Sequence, residues 1–577
     1  MADFRKWFPV LAVVALLTGA AASANAQAFQ CTANAGVPPL LRAEGLAELA
    51  GDLVLNCTGS VPSTGILANV RVFLNTNVTS RLTGPGIGNE ALLLIDEPAP
   101  ASQVFCAWAN AACTGSTTPS FLANVFQGGA TGVNTVDWLG IPIVAAGSSG
   151  TNRVYRITNV RVNANQLGTS STLIPTQVVM FVSISGSTSV PVNNPQQIVG
   201  FVTPGMSFSV TSRAYKQCTP TAANFDYSPT VDLTYTEGFA TSFKSRGVDP
   251  QNVPGFVYNT ESGFVSSALT GGTAIGLASQ GTRLLARFAG IPSGVVLRVP
   301  QQVISGGLTL QLVTGTDSAG AGGTVTSGPG TVTVTPSAGA ALVVYEVAAA
   351  TSASWSTVDA VTIPITVRAA SVPPGLTSPE ATVNGNFAPI STVTTASSTA
   401  PVPRFADVST SKTAFTISPC RTLLLFPFVT NAVGFDTGIA ISNTSSDPFG
   451  TVPQSGACTL NYYGNIPATG GPAPSPVTTP VIAGGEQLAF TVSSGGGVVG
   501  TTKTCSACAT PGFHGYVIAV CNFQFAHAFA FVSDLGANKL AEGYLALVIP
   551  DVPARDPSNR ALSAFGVGFN EGEQLLH

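Results

Sequence analysis

The sequence predicts an all-β protein of several β-sandwich domains, Ig-like or jelly-roll-like, that follow a signal peptide. Two observations predict this fold class. Short runs of β-branched and alternating apolar residues occur along the whole chain, separated by clusters of Gly, Pro, Asn and Ser, as expected for half-buried strands of antiparallel sheets. Segments with the three- and four-residue apolar spacing of a helix are rare.

The start of the chain has the order of features found in secretory signal peptides. Arg5 and Lys6 precede an apolar run of 11 residues, 7–17, and small residues then lead to the sequence ANA at 24–26. We expect cleavage after Ala26. The run is shorter than the roughly 20 residues that cross a bilayer, and no later run is long enough. The sequence therefore predicts export without a transmembrane helix, to the periplasm, the cell surface or the medium.

The strand predictions follow from short alternating runs. The clearest runs, in chain order, are 70–74 (VRVFL), 176–184 (TQVVMFVSI), 308–312 (LTLQL), 331–335 (TVTVT) and 361–367 (VTIPITV). Pro364 lies inside the last run and predicts an edge strand there, because proline cannot donate a ladder hydrogen bond. The best helix candidate is Leu40–Leu49, although Gly45 interrupts it.

Cysteine content and composition predict the domain boundaries. We expect one or more disulfide-containing β domains over 27–236, after the signal peptide at 1–26. Residues 237–390 contain no cysteine, are rich in Gly, Thr and Val, and are interpreted as a second β domain. A Ser/Thr/Pro linker at 391–403 (STVTTASSTAPVP) precedes a C-terminal disulfide-containing β domain at 404–577.

Ten cysteines in an exported chain predict disulfides rather than free thiols or metal ligands. Each terminal region holds five cysteines, an odd number, so complete pairing needs a bridge between the two regions. We predict the pairs Cys31–Cys57, Cys106–Cys113, Cys458–Cys521, Cys505–Cys508 and, as the bridge between regions, Cys218–Cys420.

The charge content narrows the class of partner. Only 9% of residues are charged, against about 25% in ordinary soluble domains, and the formal net charge is −4. No block of basic residues is present, so nucleic acid is not an expected partner. A weakly charged surface offers little repulsion between copies, which suits self-association or packing against envelope or matrix components. The alternative is that Ser/Thr-rich exported β proteins commonly have this composition.

A phenylalanine-rich run near the C-terminus predicts a strand. Residues 523–531 (FQFAHAFAF) place phenylalanines at odd positions, and His527 shares their side. We expect the odd-numbered side to face the core, with Phe525 buried and His527 as a hydrogen-bonded core residue. A catalytic role for His527 with Ser533 and Asp534 is the alternative.

Two segments carry a resemblance to known sequences. Residues 423–445 (LLLFPFVTNAVGFDTGIAISNTS) and 512–550 (GFHGYVIAVCNFQFAHAFAFVSDLGANKLAEGYLALVIP) resemble the two halves of a C-terminal module in uncharacterised secreted β-rich proteins of soil bacteria. Residues 53–80 are similar to the N-terminal part of such proteins. The resemblance implies export and a β architecture, and it brings no known activity and no catalytic residues.

The candidate catalytic and metal motifs are incomplete. Asp436-Thr437-Gly438 resembles half of an aspartic protease site, whose chemistry needs two carboxylates, and a tight turn is the favoured interpretation. Cys505, Cys508, His514 and His527 have the residue types of a zinc site, but the order and spacing are not those of a zinc finger, so a small disulfide loop is favoured. Apart from His514 and His527, the only histidine is His577, and no Gly-x-Ser-x-Gly motif occurs.

Paired carboxylates would support a glycosidase, but the sequence does not select a pair. The candidates are Glu44, Glu48, Glu237, Glu261 and Glu346. We therefore predict no catalytic, cofactor-binding or metal-binding residues and no cofactor, and leave enzyme status open with a preference for a non-enzyme. The favoured function is a non-catalytic extracellular or cell-envelope structural or adhesive protein. The alternative is a secreted hydrolase or carbohydrate-binding protein that acts on external polymers.

Overall fold

The computed structural model describes residues 29–59, 66–83, 86–108, 123–143, 152–170, 174–186, 190–217, 224–251, 253–266, 275–370, 380–451, 453–496, 503–534 and 539–549. The signal peptide predicted at 1–26, together with Cys113, Cys218 and His577, lies outside these ranges. Almost all of the regular secondary structure in the described chain is β-strand, which confirms the predicted all-β fold class. Its short 3-10 helices lie at Pro100–Ser102, Ala164–Leu167, Ser352–Trp355 and Ser506–Cys508. No helix in the described ranges is long and apolar enough to span a membrane.

A 12-stranded sheet forms the N-terminal part of the molecule. The sheet curves so that β1 (Gln30–Ala35), near one end, contacts β14 (Gln196–Thr203), near the other end. One face of the sheet lines a single core that includes Val72, Trp138 and Met180. Alternation explains this packing, because residues 68, 70, 72 and 74 of one strand all point inward. The strands are β1 (Gln30–Ala35), β2 (Leu40–Arg42), β4 (Leu53–Thr58), β5 (Ile66–Leu74), β6 (Gly88–Ile95), β7 (Phe105–Cys106), β8 (Val125–Gly132), β9 (Thr135–Ile143), β10 (Asn152–Thr158), β12 (Thr176–Gly186), β13 (Val192–Asn193) and β14 (Gln196–Thr203), with β3 (Glu48–Leu49) and β11 (Arg161–Val162) as a separate pair.

Two sheets pack face to face in the central sandwich and share one core. The six-stranded sheet contains β15 (Met206–Thr211), β17 (Phe225–Asp226), β18 (Val231–Glu237), β20 (Val295–Pro300), β24 (Thr331–Val334) and β26 (Ala360–Ala369). The eight-stranded sheet contains β16 (Arg213–Gln217), β19 (Arg283–Ala289), β21 (Gln302–Ser305), β22 (Leu308–Thr316), β23 (Gly322–Val325), β25 (Ala341–Ala350), β27 (Glu380–Ala388) and β28 (Lys412–Pro419). Composition predicts domain boundaries at residues 237 and 404. Strands on both sides of each position nevertheless belong to the central sandwich: β15 to β18 start before residue 237, and β28 follows residue 404.

A second sandwich follows from Thr422 and also encloses one core. Its six-stranded sheet contains β29 (Thr422–Thr430), β32 (Cys458–Ile466), β33 (Gly471–Pro472), β34 (Val477–Thr478), β37 (His514–Cys521) and β40 (Leu547–Ile549). Its four-stranded sheet has the order β36 (Gln487–Thr491), β30 (Asp436–Asn443), β38 (Ala526–Ser533) and β39 (Ala541–Leu545), and β31 (Ser455–Gly456) pairs separately with β35 (Ile482–Ala483).

Two local predictions are wrong. Residues 40–49 are not helical, because β2 and β3 flank a turn in which the Glu48 side chain packs against Gly45, where a Cβ would lie 2.3 Å from it. Pro364 lies in β26, the middle strand of its sheet rather than an edge. The ladder between β26 and β20 begins only at Thr366. At Pro364 the strand therefore pairs on one side, with Asp232 of β18, and proline is tolerated because no ladder hydrogen bond is needed on the other side.

The segment 391–403, predicted to be a linker, packs against its neighbours. The side chain of Asn77 donates to the Thr394 carbonyl over 3.2 Å, and the Leu82 amide donates to the Ser397 carbonyl over 3.1 Å. The buried guanidinium of Arg404 donates to the carbonyls of Val393 and Thr395 over 2.9 and 2.8 Å. These bonds hold the segment against residues 77 and 82 of the N-terminal part and against the Arg404 side chain.

Three disulfides match the predicted pairs: Cys31–Cys57, Cys458–Cys521 and Cys505–Cys508. The first two join directly opposite residues of neighbouring antiparallel strands. Cys106 and Cys420 are also disulfide-bonded. Their predicted partners, Cys113 and Cys218, lie outside the described residues.

A buried charged cluster, here called the junction cluster, lies where the N-terminal sheet meets the central sandwich. The Arg42 guanidinium binds the carboxylates of Glu48 and Glu261, each over 2.8 Å, and donates to the Thr282 hydroxyl over 3.0 Å. It also lies 4.7 Å from the ring centre of Phe405. Burial alone would lower the pKa of Arg42, but the two carboxylates outweigh that effect and hold the pKa above its ordinary value.

Candidate functional site

The carboxylates considered for catalysis have structural partners. Glu48 and Glu261 belong to the junction cluster, Glu44 accepts from the Gly205 amide over 2.9 Å, and Glu346 binds Arg283 over 2.9 Å. Glu237 accepts backbone N–H bonds from residues 243 and 359. The structure therefore uses each of these carboxylates to satisfy buried cations or backbone amides.

Asp436 of the Asp-Thr-Gly motif anchors the turn between β29 and β30. One carboxylate oxygen accepts from the Asn431 side chain over 3.0 Å and from the Thr437 and Ser493 amides, and the other accepts from the Ser493 hydroxyl over 2.6 Å. Asn431 in turn accepts from the Gly512 amide over 2.9 Å. Residues 436–438 lie in β30 itself rather than in the tight turn favoured from the sequence, and the network gives Asp436 a structural role at the start of that strand.

The turn that Asp436 holds presents Val433 to solvent. Val433 is 93% exposed and has a φ of 54°, a left-handed conformation that is strained for a β-branched residue. The neighbouring Gly434, with a φ of 82°, adopts such a conformation freely. The fold thus fixes an apolar side chain in an outward position at the cost of local strain.

The cysteine–histidine group does not form a metal site. Cys505 and Cys508 are bonded to each other, which removes both thiolates, and no cluster of three or more potential metal ligands occurs among the described residues. His514 begins β37, and its ring meets the Phe428 ring edge-on at 5.5 Å between centres. His527 lies on a different sheet, in β38.

The prediction that the odd-numbered side of 523–531 faces the core is wrong for most of the run. Phe523 is fully buried, but Phe525, Phe529 and Phe531 are 39%, 41% and 45% exposed, and His527 is half-buried on their side. The core side of β38 is formed by alanines 526, 528 and 530 and by Val532. A left-handed residue, Phe525 with a φ of 62°, separates the two parts of the run and reverses the phase of alternation.

These exposed rings form a surface that we call the aromatic face: Phe529 and Phe531 of β38 with Leu545 of β39. Leu545 is 63% exposed and lies directly opposite Phe529. The ladder neighbours of the two rings in β30 are Ala440 and Gly438, which are too small to cover them. The outer side of the four-stranded sheet therefore presents aromatic carbon without a charged residue at these ladder positions.

The opposite sheet of the same sandwich also exposes aromatic rings. Tyr463 of β32 and Tyr516 of β37 are directly opposite in the ladder and stack with their ring centres 5.0 Å apart, and they are 44% and 42% exposed. Both sheets of the C-terminal sandwich thus carry exposed aromatic groups.

A cavity of about 720 Å³, here called the end groove, opens at one end of this sandwich. Its apolar lining includes Phe428, Val433, Phe435, Leu540 and Tyr544, and His514 adds an imidazole. The Tyr544 hydroxyl donates to the Phe428 carbonyl, which ties edge strand β39 to β29 across the end of the sandwich. Burial raises the pKa of Tyr544 to about 12, so the hydroxyl keeps its proton and remains a donor.

Sequence reasoning missed both the aromatic face and the end groove. The groove brings together residues more than 100 positions apart, such as Phe428 and Leu540, and no local pattern predicts that meeting. The aromatic face did have a local signal, because residues 526–531 (AHAFAF) place alanines on one side and His527, Phe529 and Phe531 on the other. A strand with apolar residues on both sides is compatible with either side facing the core.

Comparisons with known proteins give no family. No family model matches the chain, and no curated protein matches it significantly. Among solved structures, the C-terminal domain of the Streptococcus agalactiae AgI/II polypeptide BspA is 9% identical, with 67% of this chain and 98% of that chain covered and a TM-score of 0.21. BcpA, the major pilin subunit of Bacillus cereus, is 7% identical, with 83% and 94% covered and a TM-score of 0.19. The CupB6 tip adhesin of Pseudomonas aeruginosa is 8% identical, with 68% and 98% covered and a TM-score of 0.15. TM-scores this low do not show a shared topology and indicate nothing about what this chain binds.

Proposed function

We propose that the protein is a non-catalytic, exported structural or adhesive protein whose contact surface is the aromatic face. The observation that carries this proposal is the exposure of two neighbouring aromatic rings, Phe529 at 41% and Phe531 at 45%, on the outer side of β38. Exposed contiguous apolar surface on a soluble protein marks an interaction site. The disulfides support export, because such bonds persist in oxidising compartments.

The low charge of the chain supports the same function. With 9% charged residues, little electrostatic repulsion opposes the approach of a second copy or of an uncharged matrix surface. Burial of aromatic rings then supplies the free energy of contact, at about 25 cal/mol per Å² of apolar area removed from water. Aromatic groups are also favoured in the centres of protein contact surfaces.

The test compares Phe529→Ser/Phe531→Ser with the unsubstituted mature chain. We expect the double variant to adsorb several-fold less to a methyl-terminated surface in a quartz-crystal microbalance and to lose any self-association seen by sedimentation velocity. Ile304→Ser, at a residue of the central sandwich that is 68% exposed, is the matched control and should behave like the unsubstituted chain. Equal adsorption by all three chains would contradict the proposal.

Carbohydrate binding is a second candidate, favoured by the stacked pair Tyr463–Tyr516. Tyrosine presents an apolar ring with a polar hydroxyl, which suits the faces and edges of sugar rings. In this case Tyr516→Ala should reduce sedimentation of the protein with insoluble polysaccharides, whereas Phe529→Ser should not. No change for Tyr516→Ala on any polysaccharide that retains the unsubstituted chain would eliminate this candidate.

A further inference from the structure

We propose that the end groove is a docking site for the chain's own residues 565–569, which add as a strand beside β39 and insert Phe565, Val567 and Phe569 into the groove. Residues 550–577 lie outside the described part of the chain.

The groove is preformed. The bonds of Asp436 and Asn431 fix the turn that carries Val433, and Tyr544 ties β39 to β29. Val433 is held in a strained conformation with its side chain 93% exposed, although an apolar side chain gains free energy only when it is covered. The wall of the groove is therefore arranged for an apolar occupant.

The neighbouring strand can accept another strand. β39 is the last strand of its sheet and pairs only with β38 among the described strands. Leu540, Ala541, Glu542 and Tyr544, at or just before this strand, line the groove. An extended segment beside such an edge gains main-chain hydrogen bonds, and its alternate side chains enter the adjoining groove.

The sequence after β40 contains a matching segment. Residues 565–569 read FGVGF, with apolar side chains at 565, 567 and 569 and glycines between them. In a strand, the three side chains share one side and the glycines form the other. One side can then fill the groove, and the side without side chains can lie against a neighbouring surface.

The chain is long enough to reach the groove. β40 ends at Ile549, which lies opposite Leu423 at one end of β29. Phe428, in the groove, lies five residues further along β29, so Ile549 and the groove are roughly 17 Å apart. Residues 550–564 can span up to roughly 50 Å. A segment tethered this closely has an effective concentration on the order of millimolar, which favours the chain's own segment over that of a second copy.

The test uses the full mature chain and a fluorescein-labelled peptide of residues 559–571. The tail variant, Phe565→Ser/Val567→Ser/Phe569→Ser, should leave the groove open. We expect the peptide to bind the tail variant at least tenfold more tightly, by fluorescence anisotropy, than it binds the unsubstituted chain. Adding Val433→Asp to the tail variant should weaken binding at least tenfold, whereas adding Val358→Asp, at a 57% exposed valine of the central sandwich, should not.

Hydrogen exchange and the oligomeric state by sedimentation velocity also test the docking. In the unsubstituted chain, hydrogen exchange should show protection of the amides of 541–545 that do not bond to β38, and that protection should be lost in the tail variant. The proposal would be overturned if these amides were not protected in the unsubstituted chain. It would also be overturned if the peptide bound the unsubstituted chain and the tail variant equally, or did not bind the tail variant. A dimeric unsubstituted chain with a monomeric tail variant would overturn it in favour of exchange between copies.

Discussion

At the scale of single residues, Glu237 is a buried carboxylate whose pKa is raised in the folded protein. It ends β18 and is 4% exposed. Its oxygens accept from the Phe243 amide over 2.6 Å and the Asp359 amide over 2.9 Å, which favours the charged form. Burial acts in the opposite direction and dominates, with a smaller contribution from the Asp359 carboxylate, and together they raise the pKa of Glu237 to about 7 from its usual value of 4.5.

We expect Glu237 to make the folded protein less stable as pH rises. Because its pKa is higher in the folded than in the unfolded chain, the folded state binds the extra proton, and the resulting stability is present below pH 4.5 and lost as pH rises through about 7. Glu237→Gln should therefore reduce the loss of unfolding free energy between pH 5 and pH 8 in urea titrations. Glu542→Gln, on an exposed edge strand, serves as control and should keep the loss. An unchanged loss in Glu237→Gln would contradict this assignment.

At the scale of elements, the sequence predicted strands better than it predicted which side of a strand is buried. Alternation placed β5 and β26 correctly, because Asn69 and Arg71 mark the outer side of β5 and threonines mark that of β26. β38 has apolar residues on both sides, and the larger size of the phenylalanines predicts burial of their side. Leu424 and Phe426 of the facing sheet belong to the same core and leave room only for alanines. The phase of β38 thus depends on its packing against β29, which lies 104 residues earlier in sequence (Thr422 against Ala526).

The two parts of the phenylalanine run should respond differently to truncation. Phe523→Ala removes a fully buried ring and should lower the unfolding free energy of the C-terminal sandwich by about 3–5 kcal/mol. Phe529→Ala removes a ring that is already 41% exposed and should cost less than about 1 kcal/mol, as surface substitutions commonly do. Urea titrations of both variants against the unsubstituted chain measure the difference. Similar losses would mean that the aromatic face is covered in solution.

At the scale of the whole molecule, the junction cluster joins segments that are far apart in sequence. Arg42 belongs to the N-terminal sheet, whereas Glu261 and Thr282 lie 219 and 240 residues later. No local sequence pattern predicts this contact, because Arg42 is more than 200 positions from both residues and meets them only in the folded chain. A cluster buried this deeply leaves no solvent to screen an unpaired charge.

Breaking the cluster by a single substitution should therefore be costly. Arg42→Met leaves the Glu48 and Glu261 carboxylates buried without their cation, and we expect a loss of about 3–5 kcal/mol of unfolding free energy. The triple variant Arg42→Met/Glu48→Gln/Glu261→Gln removes the charges together and should recover part of that loss. Thermal unfolding followed by calorimetry checks both. A triple variant less stable than Arg42→Met would show that hydrogen bonding, rather than charge, holds the junction.

The remaining long-range link is the predicted disulfide Cys218–Cys420. Cys420 is disulfide-bonded, and its amide donates to the Gln217 carbonyl over 2.7 Å. Strands β16 and β28 run parallel with Gln217 opposite Pro419, so the residue that follows each strand is a cysteine. A bridge there would close a loop of about 200 residues and stabilise the fold by about 5 kcal/mol in the chain-entropy model. Non-reducing peptide mapping should recover a Cys218–Cys420 peptide beside the Cys31–Cys57 peptide, which serves as the internal control. Cys420 recovered with a different partner, or alkylated as a free thiol, would show that the central sandwich is not closed in this way.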